Sequence, residues 1–155
     1  MKLNPSNTLL SKGLELPIMD QFYTIQGEGY HKGTAAFFIR VGGCDIGCHW
    51  CDVNESWDYQ SHNIKSIDEI IFEAVKYSKL AVITGGEPLL QFKALEPFIE
   101  LLQQQLGFKP FIEIETNGTL TPKGQLFNYI DLINCSPKLS NSGEPENKRI
   151  KINTI

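Results

Sequence analysis

An α/β fold built on a parallel sheet is the class this sequence predicts, and three observations carry it. Short apolar runs of strand character alternate with segments of helical period; that order calls for right-handed crossovers; and four polar loops, 42–52, 85–88, 116–118 and 136–138, fall at the carboxyl ends of the strands. Residues 22–25 and 35–41 (AAFFIRV) read as the first strands, parted by the glycine-rich bend Gln26-Gly27-Glu28-Gly29 and by Gly33. Ser66 followed three residues later by Glu69 is a capping box. Behind it Ile67, Ile70, Ile71, Ala74 and Val75 recur at helical spacing, which predicts a helix of about three turns. Residues 80–84 (LAVIT) are a short apolar run stopped by Gly85-Gly86, as a buried strand would be. A second helix is expected over 94–106, with Leu95, Phe98, Ile99 and Leu102 facing inward, Pro97 near its first turn and Gly107 at its end. Residues 111–115 and 131–135 complete the strands, with a short helical piece over 122–129 between them, and 149–152 begins one more strand.

At 155 residues with 41% apolar side chains, the chain suits a single domain, 1–155, and no internal repeat or low-complexity block divides it. Its 14 Lys and Arg against 18 Asp and Glu leave a net charge of −4, too acidic for a general polyanion-binding surface, so nucleic acid is not an expected partner. No apolar run approaches the ~18 residues of a membrane span, and residues 1–13 lack a basic start followed by an apolar stretch; a cytoplasmic protein without a membrane partner is the expectation.

Ligands of such sheets gather at the carboxyl ends of the strands, so the loops there decide the chemistry. The first holds Cys44, Cys48 and Cys51, spaced so that three thiolates can converge on one small object. A closed zinc site commonly needs four ligands; His49 adjoins Cys48, and Cys135 stands alone at the end of an apolar run, so zinc is the weaker reading. An iron–sulfur cube suits three cysteines, which hold three irons and leave the fourth open. Thiols merely filling a core are the bland alternative, against which the polar surroundings speak. Arg40, ending an apolar strand, needs an anion: a ligand carboxylate, or a protein carboxylate such as Glu113 or Glu115. Strand alternation puts Glu113 and Glu115 on one face and Ile112 and Ile114 on the other, with Glu115 nearer the strand end and better placed to touch ligand. No Ser-His-Asp set and no paired general acid and base are legible.

The pattern Cys44-x3-Cys48-x-Trp50-Cys51 resembles the signature of the radical S-adenosylmethionine (SAM) superfamily, and Gly85-Gly86-Glu87-Pro88 after the next strand is similar to its second motif. Within that superfamily, Tyr23-Thr24-Ile25-Gln26-Gly27-Glu28-Gly29, Phe38-Ile39-Arg40-Val41, Glu115-Thr116-Asn117-Gly118 and Ser136-Pro137-Lys138-Leu139-Ser140 resemble the 7-carboxy-7-deazaguanine synthase family, in order, over residues 16–149. The resemblance implies a partial (βα) barrel of the radical SAM type. It also implies a lyase that converts 6-carboxy-5,6,7,8-tetrahydropterin to 7-carboxy-7-deazaguanine by radical ring contraction with loss of ammonia, in queuosine biosynthesis. With it come a 4Fe-4S cluster on Cys44, Cys48 and Cys51, and SAM against Trp50, Cys51, Asp52, Gly86, Ser136, Pro137 and Lys138. The carboxypterin would meet Ile25, Gln26, Gly27, Arg40, Thr84 and Glu115, with Arg40 on its carboxylate and the Gln26 segment offering backbone groups and one side-chain amide. Gly86 would let the backbone approach the methionine end of SAM, although a simple turn also uses glycine; Trp50 would line the adenosine, although a core position also suits tryptophan. An electron donor such as flavodoxin is implied as a partner.

The chain departs from that family in two respects. Where members carry a threonine or serine that helps hold magnesium, this chain has Val53, which cannot ligate; Asp52, Asn54, Glu55 and Ser56 are the oxygen donors left for Mg2+. The family also continues past the Ser136-Pro137-Lys138 loop, so the chain is expected to lack C-terminal strands, to expose a sheet edge, and to be marginally stable or depend on a homodimer. Two further readings stand beside this one: a radical SAM protein that raises a glycyl radical on a partner, and a non-catalytic iron–sulfur or zinc binding fragment.

Overall fold

The computed structural model describes residues 14–58, 63–74, 76 and 79–154. Six strands lie in one sheet there: β1 (Glu15–Ile25), β2 (Ala35–Val41), β3 (Asn63–Ser66), β4 (Leu80–Gly85), β5 (Phe111–Thr116) and β6 (Leu132–Cys135). Their order is β3-β1-β2-β4-β5-β6. The strands β2, β4, β5 and β6 run parallel, as the alternation of elements requires. By contrast β1 is antiparallel to both β2 and β3, so the sheet is mixed rather than parallel throughout. The cause is the short bend between β1 and β2, closed by Gln26 N–H to the Thr34 carbonyl and Gly33 N–H to the Gln26 carbonyl, each 2.8 Å; a parallel connection needs a longer crossover. Because β3 and β6 end the order, the described sheet is open, which agrees with a partial barrel.

Strand β1 begins at Glu15, well before the expected residue 22. Pro17 and a register irregularity between Ile18 and Asp20 hide it in the sequence, although Leu16 and Ile18 are buried. Strand β3 was not legible at all, since Asn-Ile-Lys-Ser has no apolar run; it is a half-buried edge held by pairing to β1.

Helix α1 (Ile67–Ala74) starts on the expected capping box: Ser66 N–H donates to Glu69 Oε2 at 2.9 Å, and Glu69 N–H returns to Ser66 Oγ at 3.3 Å. Its described part is shorter than three turns, and Val75 lies outside the described residues. Helix α2 (Phe92–Leu106) begins two residues before the expected start and is led in by a 3-10 turn, Pro88–Gln91. Pro97 therefore sits inside it rather than in its first turn. The lost backbone hydrogen bond is offset by burial of Leu95, Phe98, Ile99 and Leu102 on the same helix. These side chains and Ile67, Ile70 and Ile71 of α1 pack on Ile39, Ile83, Ile112 and Ile114, forming the main core.

The last two elements differ from expectation. The helical piece over 122–129 contracts to α3 (Leu126–Tyr129). Residues 149–152 do not form a strand: a helical turn, α4 (Glu146–Arg149), is followed by a 3-10 turn, Ile152–Thr154. Arg149 Nη1 donates to the Lys138 carbonyl at 3.1 Å and Thr154 Oγ1 to the Gly118 carbonyl at 2.9 Å, so this segment folds back over the ends of the loops after β5 and β6 rather than extending along the sheet. No described helix is long and apolar enough to cross a membrane.

Candidate functional site

The loops at the carboxyl ends of β2, β4, β5 and β6 enclose one cavity of about 280 Å³. Their spacing is set by contacts between loops. Gly86 N–H donates to the Val41 carbonyl at 3.1 Å and Glu87 N–H to the Gly43 carbonyl at 2.7 Å, which ties the turn after β4 to the start of the cysteine loop. A Cβ on Gly86 would lie 2.2 Å from the Gly43 oxygen and 2.9 Å from the Cys44 Cβ. Glycine is therefore required here by the packing of two loops, whatever approaches from the cavity side.

Glu87 has no exposure, and its carboxylate joins the second loop to the third: it accepts Asn117 N–H at 2.8 Å, Leu89 N–H at 3.0 Å and the Thr116 hydroxyl. Burial outweighs these donors and pushes its pKa up to about 7. Asp45, inside the cysteine loop, accepts Asn117 Nδ2 at 2.9 Å and Thr119 Oγ1 at 2.5 Å. Neither role was legible in sequence, because each joins residues far apart along the chain.

Cys44, Cys48 and Cys51 all line this cavity, and so do Trp50, Asp52 and Gly86. Ser136 and Lys138 line it from the loop after β6; Pro137 does not. Burial pushes the Cys44 thiol up to about 11 and also raises Cys48. Among the described residues no three His, Cys, Asp or Glu side chains gather closely enough to hold one metal ion. The three thiols open into the same cavity. That donor set fits a cluster, which presents a separate iron to each thiolate, better than it fits zinc. Of the oxygen donors beside Val53, Asp52 and Ser56 line the cavity, and the Ser56 hydroxyl already donates to the Val53 carbonyl at 2.7 Å. Asn54 and Glu55 are not part of the lining.

Arg40, Thr84 and Glu115 also line the cavity. Arg40 has the Phe22 ring at 5.4 Å, but among the described residues no carboxylate lies within ion-pair distance of it. Glu113 is committed elsewhere: its Oε2 meets His31 Nδ1 at 2.9 Å, and its Oε1 accepts Gln26 Nε2 at 2.6 Å and Asn134 Nδ2. Gln26 Nε2 also donates to Glu115 Oε1 at 3.0 Å, and Gln26 Oε1 accepts Glu28 N–H at 3.0 Å.

The side-chain amide of Gln26 is therefore fully used inside the protein, and the residue is buried. That corrects the expectation that it offers a free amide to a ligand. Ile25, the last residue of β1, and Gly27, on the bend, lie outside the cavity lining as well, and both are exposed. Of the lining residues, Trp57 and Asn134 went unnoticed in sequence, and Cys135 was weighed there only as a lone metal ligand. Asn134 pairs in register with Glu115 across β5 and β6, a relation that strand pairing alone reveals.

Residues 38–134 match the model of the radical SAM superfamily. A 7-carboxy-7-deazaguanine synthase of Flavobacterium psychrophilum is 62% identical over 116 residues, which are 74% of this chain and 52% of that protein. The protein of the same name from Synechocystis sp. is 40% identical over 139 residues, 89% of this chain and 62% of the relative. The crystal structure of QueE from Escherichia coli superimposes with a TM-score of 0.60 at 28% identity, covering 84% of this chain and 74% of that one. The chain thus spans about half the length of the Flavobacterium relative.

Proposed function

Since this chain belongs to the radical SAM superfamily, we propose that it works as a 7-carboxy-7-deazaguanine synthase, taking 6-carboxy-5,6,7,8-tetrahydropterin through ring contraction with loss of ammonia. One observation carries the reading beyond the superfamily: Arg40, which among the described residues has no carboxylate within ion-pair distance, shares a cavity with Glu115 and the three cysteines. A flat heterocycle with a carboxylate at one end and N–H donors along its edge matches that pair.

Cys44, Cys48 and Cys51 would hold a 4Fe-4S cluster. The cluster and SAM, when bound, supply the radical chemistry that begins the ring contraction. The chain's own residues bind and aim. Trp50, Asp52, Gly86, Ser136 and Lys138 form the wall on which SAM would lie, with Pro137 shaping the loop behind. Arg40 takes the substrate carboxylate in a two-pronged grip, Glu115 accepts ring N–H groups, and the Thr84 hydroxyl lies beside them. Gln26 acts one layer back, holding Glu115 in place. Asp52 supplies an oxygen to a magnesium ion where Val53 has no hydroxyl. A one-electron donor of the flavodoxin type, a cytoplasmic setting and a homodimer complete the reading.

The test is anaerobic reconstitution with iron and sulfide, followed by SAM cleavage with and without the carboxypterin. Replacing Cys44, Cys48 or Cys51 with Ala is expected to abolish both cluster and cleavage, while Cys135→Ala leaves the iron content unchanged. Stoichiometric zinc in anaerobically prepared protein, or equal dependence on Cys135, overturns the cluster assignment. Cleavage that proceeds without converting carboxypterin overturns the substrate.

A further inference from the structure

The cysteine loop is bonded along one side to a single short stretch of chain after β6. Glu144 Oε1 accepts the Gly47 N–H at 2.8 Å and the Lys148 ammonium at 2.7 Å. The Ser142 carbonyl accepts the His49 N–H at 2.9 Å, and the Asn141 carbonyl accepts Trp50 Nε1–H at 3.0 Å. Gly143 lies against the His49 ring with φ +81°, and a Cβ there would come within 2.0 Å of two ring atoms, so the contact admits only glycine. Three residues that stand between Cys44 and Cys51 are thus each tied to residues 141–144. The bonds are all made by protein groups.

We propose that residues 141–144 are a clasp that holds the cluster loop ready before the cluster arrives, and that Glu144 is its positioning residue. The inference rests on the reading that Cys44, Cys48 and Cys51 carry a cluster. Gly47 precedes Cys48, so the orientation of its amide fixes the chain on the approach to that thiolate. An N–H left free beside an iron–sulfur cluster turns toward a sulfur, and hydrogen bonds to sulfur, like nearby charge, set the reduction potential. Glu144 holds this N–H and places a carboxylate close to the loop. It thereby acts on both the lifetime and the potential of the cluster while touching neither iron nor substrate.

Three holoproteins separate these effects: the unaltered chain, Glu144→Ala and Glu144→Gln, each reconstituted anaerobically and challenged with EDTA. Glu144→Ala removes the acceptor, so iron is expected to leave about tenfold faster, the scale of one lost charge-assisted hydrogen bond. Glu144→Gln keeps a carbonyl acceptor but no charge; its iron should leave at nearly the original rate while the midpoint potential rises. Lys148→Ala leaves the acceptor in place but removes the cation paired with it, so the rate of iron loss should change little while the midpoint potential falls. If both Glu144 variants release iron at the original rate with the original potential, the clasp is wrong. Should Glu144→Gln lose iron as fast as Glu144→Ala with no shift in potential, Glu144 only stabilises the fold and the positioning role is wrong. Should the unaltered chain take up no iron, the cluster reading itself fails, and that outcome is seen before any variant is compared.

Discussion

The two faces of the parallel strands arise from the same few stretches of sequence and end in opposite environments. One face presents Ile39, Ile83, Ile112 and Ile114, all without exposure, to α1 and α2. The other carries Phe38, Val82 and Glu113 in one row and Arg40 and Thr84 in the next, with Glu115 two residues beyond Glu113. Its lower part is still apolar, where Phe22 stacks on Phe38 at 5.2 Å and packs with Ala36, Leu80 and Val82. Polarity then rises toward the carboxyl ends, where loops rather than helices cover the strands. Burial and charge coexist there only where partners are supplied: Glu113 is fully buried and has three. The helix-covered face holds the core, and the loop-covered face holds the cavity.

The largest effect should come from the helix-covered face. Ile114→Ala removes buried methyl groups where the surroundings cannot collapse fully, and about 2–5 kcal/mol should be lost; the urea midpoint of the reconstituted protein reads it. A loss below about 1 kcal/mol would mean that this face is loosely packed and that the contrast is weaker than drawn.

Glu87, at the seam between loops, adds a pH term. It ionises near 4.5 when unfolded but near 7 in the fold, so its contribution to stability is whole below pH 4.5 and is lost as pH rises to about 7. Relative to Glu87→Gln, the unaltered protein should lose stability across that window, by roughly 3 kcal/mol at most. A flat difference between the two proteins would show that the donors around Glu87, and not its burial, set its charge.

On the loop-covered face, Arg40→Lys and Glu115→Gln should each weaken carboxypterin binding by about tenfold or more while unfolding shifts by less than about 1 kcal/mol. Calorimetric titration of holoprotein beside thermal unfolding separates the two. Normal binding with a clear drop in Tm would make Arg40 a structural residue and erase the distinction between the faces. The smallest change is expected from Thr84→Val, close in shape to the original, with stability held within about 0.5 kcal/mol and binding lowered only by the loss of one hydroxyl. Unchanged binding would remove Thr84 from the ligand wall.

Much of this was legible along the chain. The alternation in Phe-Ile-Glu-Ile-Glu-Thr assigned Ile112 and Ile114 to one side and Glu113 and Glu115 to the other before any fold was known. The spacing of Cys44, Cys48 and Cys51 predicted that they face one space, and Ser66 with Glu69 announced a helix start. Less regular segments stayed hidden: β3 is polar, β1 is broken by Pro17, and the apolar residues near 150 suggested a strand where Pro145 instead precedes a helical turn.

By itself, then, the sequence determined which residues are candidates for chemistry and which side of each strand they occupy, because periodicity and motif spacing are properties of neighbours. Tertiary structure alone decided what those residues are free to do. Gln26 is spent on Glu113 and Glu115, 87 and 89 positions away. Arg40 meets no carboxylate among the described residues, and Glu113 is paired with His31 instead; Gly86 is glycine because Gly43 lies against it, and the cysteine loop is held by Glu144 across 97 positions. A hydrogen bond acts over about 3 Å and a packing contact over about 4 Å, so partners this far apart in the chain are chosen only once the sheet has brought them together.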